Sequence, residues 1–410
     1  MVPNDWSLVE AKDVCKAISV GVVIKPTQYY VSKDEGIKAF RSANVREGFI
    51  NDNDWVYFSK EGHAANKKSS LLAGDVLIVR TGYPGTACVV TPEFEGSNAI
   101  DIVIARPDSN KIIPEYLCAY TNSHIGKSQV LDLQGGLAQK HLNVGAYQVL
   151  KIKLPPLLEQ NKITKILATW DKAISTTEQL LANSQQHKKA LMQQLLTGKK
   201  RLLDNNGVRF SGAWNLFSLK SICEFIKDGT HGTHIRYESG VPLLSAINIT
   251  KEGQIDFDGA PFISNEDYEK IHSKYQISMG DILITVVGTL GRVALVETDS
   301  KFTLQRSVAI LRIKENISNK FMKQIFSAPE FTETLVKKSN STAQAGVYLG
   351  ELAKICIRIP EFEEQQKIAA VLSTADKEIS ALQQKLDALK QEKKALMQQL
   401  LTGKRRVTVN

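Results

Sequence analysis

No apolar run in this sequence approaches the ~20 residues that a membrane-crossing helix needs. The opening residues, MVPNDWSLVEAKD, carry charges where a secretory leader would be apolar. The chain is therefore expected in the cytoplasm, with no membrane partner. Cysteine is scarce: there are five, an odd number without a C-x-x-C pair, which fits a reducing compartment rather than a disulfide framework. Cys15 and Cys223 are expected as small core residues. Enzymatic signatures are missing too. The sequence holds no G-x-x-x-x-G-K-[ST] phosphate loop, no G-x-G-x-x-G after a strand, no H-E-x-x-H and no Cys/His cluster with zinc spacing. It also lacks an Asn-Pro-Pro-Tyr-type motif of the kind that holds a flipped base. His231-Gly-Thr-His234 supplies half of a tetrahedral metal site, and Glu266-Asp-Tyr-Glu-Lys270 lacks the neighbouring strand and aspartate of a nuclease carboxylate set. The expectation is a chain with no catalytic residue, no metal site and no cofactor of its own.

What the sequence does have, it has twice. KKALMQQLLTGK occupies Lys188 to Lys199 and again Lys393 to Lys404, an offset of 205 in a chain of 410 residues. The same offset relates Glu159-Gln160 to Glu364-Gln365, Lys162-Ile163 to Lys367-Ile368, Asp171-Lys172 to Asp376-Lys377 and Ile174-Ser175 to Ile379-Ser380. With small drifts, Gly74-Asp75, Gly82 and Gly85 fall opposite Gly280-Asp281, Gly288 and Gly291. Gly36 and Asn44 likewise match Gly240 and Asn248, and Trp6 and Cys15 match Trp214 and Cys223. The chain is thus two tandem copies of one plan, each with a variable front and a nearly fixed back, able to pack about an approximate two-fold axis. Four blocks result: fronts at 1–153 and 204–358, backs at 154–203 and 359–406.

The net charge of +9 is unevenly placed. Residues 1–153 carry 17 basic against 16 acidic side chains and residues 204–358 carry 18 against 17, whereas residues 154–203 carry 8 against 3. Bulk electrostatics therefore do not mark the fronts as nucleic-acid binders, although a local basic patch can still form in three dimensions. Near-neutral ends on long helices also suit a scaffold whose end domains bind protein, which is the alternative reading.

The backs read as helices. Ile163, Leu167, Trp170, Ile174, Thr177, Leu181, Ser184, Lys188, Leu191 and Leu195 advance by alternating steps of four and three. The second copy repeats this at Ile368, Leu372, Ala375, Ile379, Leu382, Leu386, Leu389, Lys393, Leu396 and Leu400. That is a heptad seam, and its apolar members are the expected coiled-coil core. Pro155-Pro156 and Pro360 mark the starts, acidic residues fill the first turns, and Gly198 and Gly403 mark the ends. Some 40 residues at about 1.5 Å each make a rod of roughly 60 Å. The two rods are expected to pair antiparallel, separating the fronts, and to dock partner subunits on their outer faces.

The fronts read as mixed α/β with strands dominating, so the whole is an α+β architecture. Asp75–Val79 and Asp281–Thr285 are β-prone runs followed by a G-x-x-G turn and a second run, Ala87–Val90 or Val293–Val296. Ile100–Ile104 and Ser307–Ile313 add a strand, and Pro114–Tyr120 and Asn319–Phe326 a short amphipathic helix.

The tandem layout, the E-Q-x-K-I pattern at Glu159–Ile163 and Glu364–Ile368, the K-x-x-L-M-Q-Q-L-L-T-G-K rod ends, and Trp6 and Trp214 at the domain starts resemble the specificity subunit of type I restriction-modification systems. The resemblance covers essentially the whole chain. It implies that the fronts are target recognition domains, each reading one half of a bipartite double-stranded DNA sequence. It implies that the helices set the spacer and bind two modification subunits that methylate adenine, while restriction subunits add ATP-driven translocation and cleavage. S-adenosylmethionine, ATP and Mg are then expected in the partner subunits.

The base-reading residues do not follow from the resemblance. Polar and basic side chains on turns can reach base edges or hold phosphates. The candidates in the first front are Arg41, Ser42, Asn44, Lys67, Arg80, Tyr83 and Gln139. In the second front they are His231, His234, Arg236, Ser245, Asn248, Arg292, Arg306 and Gln344. Gly82, Gly85, Gly288 and Gly291 are expected to shape turns rather than to contact phosphate.

Overall fold

The computed structural model describes residues 3–133, 141–340 and 345–408. Its contacts fall into two compact units, Met1–Glu178 with Gln384–Asn410, and Gln179–Gln383. Each unit unites one front with a part of both long helices, where the sequence pattern suggests four blocks. Among the described residues no helix is long and apolar enough to cross a membrane.

The first front is organised by an antiparallel four-stranded sheet in the order Cys15–Val20, Ile102–Pro107, Val76–Val79, Ala87–Val89. The run Val76-Leu-Ile-Val79 is apolar at every position because both faces of the sheet are covered, and the two-residue pleat divides its side chains. Val76 and Ile78 pack with Val103 and Ala105 against Tyr116, Leu117 and Tyr120 of the helix Pro114–Asn122. Leu77, Val79, Ile102 and Ile104 face Phe40, Val45 and Phe94 on the other side.

The second unit builds the same sheet, in the order Cys223–Asp228, Val308–Ile313, Ile282–Thr285, Val293–Leu295. Ile282 and Ile284 face Phe321, Met322 and Phe326, while Leu283 and Ile310 face Phe302 and Leu304. In each front a further short pairing closes the domain just ahead of a long helix: Ser7–Glu10 with Lys151–Leu154, and Asn215–Ser218 with Cys356–Ile359. The sequence runs locate the central strands, while the helices His124–Asp132 and Pro329–Lys338 go unmarked there.

One ion pair recurs in both sheets with the same geometry. Arg106 Nε and Nη2 each lie 2.8 Å from an oxygen of Asp75, and Arg312 repeats both distances on Asp281. Both aspartates are buried, and each also accepts the backbone N–H three residues before it, Leu72 or Ser278. The Gly-Asp pairs of the repeat are thus explained by a turn that the aspartate holds and the arginine neutralises. The two G-x-x-G turns have positive φ at all four glycines, 89° and 85° at Gly82 and Gly85 and 76° and 80° at Gly288 and Gly291, a conformation that a side chain with Cβ disfavours. Burial pushes the thiols of Cys15 and Cys223 up to about 12, so neither is a nucleophile at neutral pH.

The long helices are Leu157–Leu195 and Phe362–Leu400, with Gly198 and Gly403 in the left-handed region just beyond their ends. In the first unit Ile163, Leu167 and Leu400 are part of the front's own core, with Leu396 packed against it. In the second, Leu195, Ile368 and Leu372 join the core, with Leu191 against it. Of the heptad positions, Leu181 and Leu386 are buried, and Trp170, Ile174, Ile379, Leu382 and Leu389 are half-buried. Within the first unit Lys393 pairs with Asp171, and Lys390 lies 2.7 Å from Glu178. Within the second, Lys188 lies 2.5 Å from Asp376, and Ser184 donates to Glu378 at 2.9 Å.

The E-Q pattern acquires a structural meaning. Gln160 accepts the backbone N–H of Ile113 and donates to the carbonyls of Lys111 and Pro155, and Gln365 makes the matching bonds with Ser318 and Pro360. Glu159 receives Arg406 through two bonds of 2.8 Å, and Glu364 receives Arg201 at 2.6 and 2.7 Å. In each unit, then, the glutamate at the start of one long helix binds the arginine just past the end of the other.

Candidate nucleic-acid interface

The second front gathers four of its candidates into one place. The segment from Gly229 crosses directly over the backbone at Leu304, so closely that a Cβ on Gly229 would sit 2.0 Å from the Leu304 oxygen. Thr230 N–H donates to Leu304 O at 2.7 Å and Arg306 N–H to Thr230 O at 3.1 Å. This crossing is the floor of a pocket of about 370 Å³ lined by Thr230, His231, Gly232, Thr233, His234, Arg236, Leu243, Gln305 and Arg306. His234 is half-buried, its Nε2 within 2.8 Å of Thr230 Oγ1 and its Nδ1 3.5 Å from Asp267. His231 is more exposed and pairs with Asp228 at 2.7 Å. The two histidines therefore face separate carboxylates, and no group of three His, Cys, Asp or Glu side chains among the described residues could hold a metal. Arg236 and Arg306 are exposed and make no side-chain hydrogen bond or ion pair among the described residues.

Thr230, Thr233 and Gln305 were not singled out from the sequence. Their only signal there is adjacency to His231, His234 and Arg306.

Ser245 and Asn248 bracket a tight turn. Asn248 is buried, accepts the Ser245 N–H at 2.9 Å and donates to Asp256 O at 3.0 Å. Arg292 reaches the same turn, donating to Ile249 O at 3.0 Å, while its Nε is buried without a hydrogen-bond partner among the described residues. Asn44 occupies the matching turn of the first front, wholly buried, accepting from Arg41 N–H at 3.0 Å and donating to Asn51 and Asn53 carbonyls. Both asparagines spend their amides on holding the backbone, which removes them from the surface.

The other first-front candidates are dispersed. Arg41 donates to Asp54 O at 2.5 Å and pairs with its carboxylate at 2.9 Å, and Ser42 is half-buried beside it. Lys67 is exposed on a separate turn, and Tyr83, 83% exposed, projects from the G-x-x-G turn. Arg80 is buried: it donates to Leu142 O at 3.0 Å and contacts Asp101 and His141, whose Nδ1 lies 3.1 Å from Thr81 Oγ1. It is an interior ion-pair residue. Gln139 and Gln344 lie outside the described residues.

A larger cavity, about 660 Å³, lies in the first unit along the long helices. It is lined by Lys162, Ile166 and Trp170, by Glu392, Ala395, Leu396, Gln399 and Leu400, and by the segment Arg405 to Thr408. It contains none of the base-reading candidates.

A family model described as the type I restriction modification DNA specificity domain matches this chain twice, over residues 3–183 and 212–391. The chain belongs to that family. Two tandem specificity domains thus account for most of its length. Among its relatives in the type I specificity family, the type I restriction enzyme MjaVIII specificity subunit of Methanocaldococcus jannaschii is 25% identical, over 99% of this chain and 94% of the relative. The EcoBI specificity subunit of Escherichia coli is 24% identical over 90% of this chain and 78% of its own length. In fold, the chain is similar to the type I restriction-modification S subunit from M. genitalium, with a TM-score of 0.61 at 13% identity and coverage of 99% and 98% of the two chains.

Proposed function

We propose that this chain is the DNA-reading component of a type I restriction-modification complex, in which each front reads one half of a bipartite duplex target. The observation that carries this reading is a constant scaffold with different side chains at equivalent positions. Asp101 N–H donates to Val22 O at 3.1 Å just as Arg306 N–H donates to Thr230 O at 3.1 Å, and Leu142 N–H reaches Arg80 O as Val347 N–H reaches Val286 O. Arg306 stands where the first front has Asp101, Thr230 where it has Val22, and Val286 where it has Arg80. Two readers with one fold and separate chemistry are what an asymmetric bipartite site requires.

The long helices pair antiparallel as a coiled coil with approximate two-fold symmetry, set the spacer and dock two modification subunits. Support comes from the pairings within each unit, where the partner's number falls as the residue number rises: Glu159 with Arg406, Asp171 with Lys393 and Glu178 with Lys390, then Ser184 with Glu378, Lys188 with Asp376 and Arg201 with Glu364. S-adenosylmethionine, ATP and Mg belong to the partner subunits, and the isolated chain neither methylates nor cleaves DNA. The test is exchange of residues 206–355 for the corresponding domain of a relative, followed by methylome sequencing of the host. One half-site changes as a block while the other half and the spacer stay. A change in both halves, or in the spacer alone, overturns the modular reading, and methyl transfer by the purified chain alone overturns the non-catalytic one.

A further inference from the structure

We infer that Arg306 reads a guanine in the half-site of the second front, with Arg236 holding a neighbouring backbone phosphate. The inference rests on the DNA-reading function proposed above and adds the chemistry of one contact. Arg306 is fixed at its backbone. Its N–H is bonded to Thr230 O, and the preceding Gln305 N–H to Leu244 O at 2.7 Å, so the residue sits on the rigid crossing that floors the pocket. Its guanidinium is exposed and has no acceptor among the described residues.

A planar fork of donors held on a rigid element matches the two acceptors, O6 and N7, that guanine shows in the major groove. The pocket lining contains no carboxylate, and its two histidines face Asp228 and Asp267, so it offers donors to an acceptor-rich edge and no carboxylate to a cytosine amino group. Arg236 lies on a stretch without regular secondary structure. Charge without fixed geometry serves a phosphate better than a base edge. The first front cannot make the same contact. Its equivalent residue is Asp101, already bound to Arg80.

The experiment uses the full chain with the methyltransferase it works with. The chain-dependent methylated motif is sequenced in the host, and the half belonging to residues 206–355 is assigned by the exchange above. Binding is then measured to synthetic duplexes in which each guanine of that half is replaced in turn by 7-deazaguanine, which lacks the N7 acceptor. One replacement is expected to weaken binding roughly 5-fold, the lower end of the range for a good bidentate contact, because O6 remains. It should weaken an Arg306→Ala chain no further. Arg306→Lys should recover affinity and only part of the discrimination, because lysine lacks the planar fork, and Arg236→Ala should weaken binding evenly across sequences and lower its salt dependence.

A half-site without guanine, indifference to every 7-deazaguanine, or an Arg306→Ala loss equal on target and scrambled duplex overturns the inference and leaves the DNA-reading function intact. No chain-dependent motif and no sequence-specific binding overturn both. The 7-deazaguanine arm needs no variant, so it decides the matter even if a substitution at Arg306 unfolds the protein.

Discussion

The two fronts share a backbone plan and differ where that plan leaves side chains free. The Asp75–Arg106 and Asp281–Arg312 pairs have the same bond lengths, and Asn44 and Asn248 hold the same turn. A few residues away, Asp101 is bound by a buried arginine whereas its equivalent, Arg306, is exposed. Residues that satisfy buried backbone or neutralise a buried charge are constrained by the cost of leaving those groups unpaired. At the crossing that cost falls on Arg80 and Asp101 as a pair, and the second front, with Val286 and Arg306 in their places, has no buried arginine there to neutralise. Similarity between the copies thus reports folding, and the proposed function places recognition at the differences.

The most severe way to test the shared part is at the seam. Leu181 and Leu386 are equivalent and both buried, and Asp at either site places a charge where the side chain is shielded from water. Each substitution should cost about 3–5 kcal/mol, read as a large fall in melting temperature. An unchanged melt would contradict a packed seam, and unequal losses would break the equivalence of the copies.

The next test exploits a difference within the shared part. Glu364 is fully buried and has Arg201 as its one side-chain partner among the described residues, whereas Glu159 receives both Arg406 and the indole of Trp6, at 2.9 Å. Trp214, the counterpart of Trp6, leaves its buried indole N–H without a hydrogen-bond partner among the described residues. Arg201→Ala should therefore cost about 3 kcal/mol or more, the range for stranding a buried charge, and Arg406→Ala about half as much. Denaturant unfolding of the two variants measures the ratio, and equal losses would mean that Trp6 contributes nothing to Glu159.

At the divergent crossing the expected effect is smaller. Asp101→Ala strips Arg80 of its carboxylate, but Asp101 is partly exposed and water screens the pair. A loss of about 1–2 kcal/mol is expected, since Arg80 keeps the Leu142 carbonyl. Hydrogen exchange at Leu142, whose N–H is bonded to Arg80 O, reports it locally.

Acidity separates the units most gently. His272 is buried in the second front, its ring within 2.9 Å of Thr303 Oγ1 and 3.2 Å of the Tyr275 carbonyl, and burial lowers its pKa below the ordinary 6.5. In the unfolded chain the same ring takes up a proton as pH drops through 6.5, while the folded form resists. Stability is therefore unaffected above that pH and falls as pH decreases below it. The described histidines of the first front, His63, His124 and His141, are not buried. Relative to the intrinsic exchange rate, which itself slows on acidification, protection in strand Ile282–Thr285 should fall before that in Val76–Val79, and His272→Gln should reduce the gap.

Much of this was legible in the sequence because it is local or repeated. The heptad steps put Ile163, Leu167, Ile368 and Leu372 on one face of each helix, and the runs Val76–Val79 and Ile282–Thr285 announced strands covered on both sides. The candidate site was legible only in part. Residue type and a turn position drew attention to Asn44, Asn248 and Arg80 as readily as to Arg236 and Arg306, since a polar side chain does not declare in sequence whether its hydrogen bonds are already spent. Arg80 is neutralised by a residue 21 positions away and touches another 61 positions away.

By itself, then, the sequence determined the duplication, the two long helices and the strands at the centre of each front, because periodicity and repetition are properties of neighbouring or equivalent residues. The tertiary structure alone decided which polar groups remain available. It brought His231, His234, Arg236 and Arg306 around one pocket and turned Asn44, Asn248 and Arg80 inward. Those outcomes depend on partners from distant segments, and chain folding, not local pattern, chooses which distant segments meet.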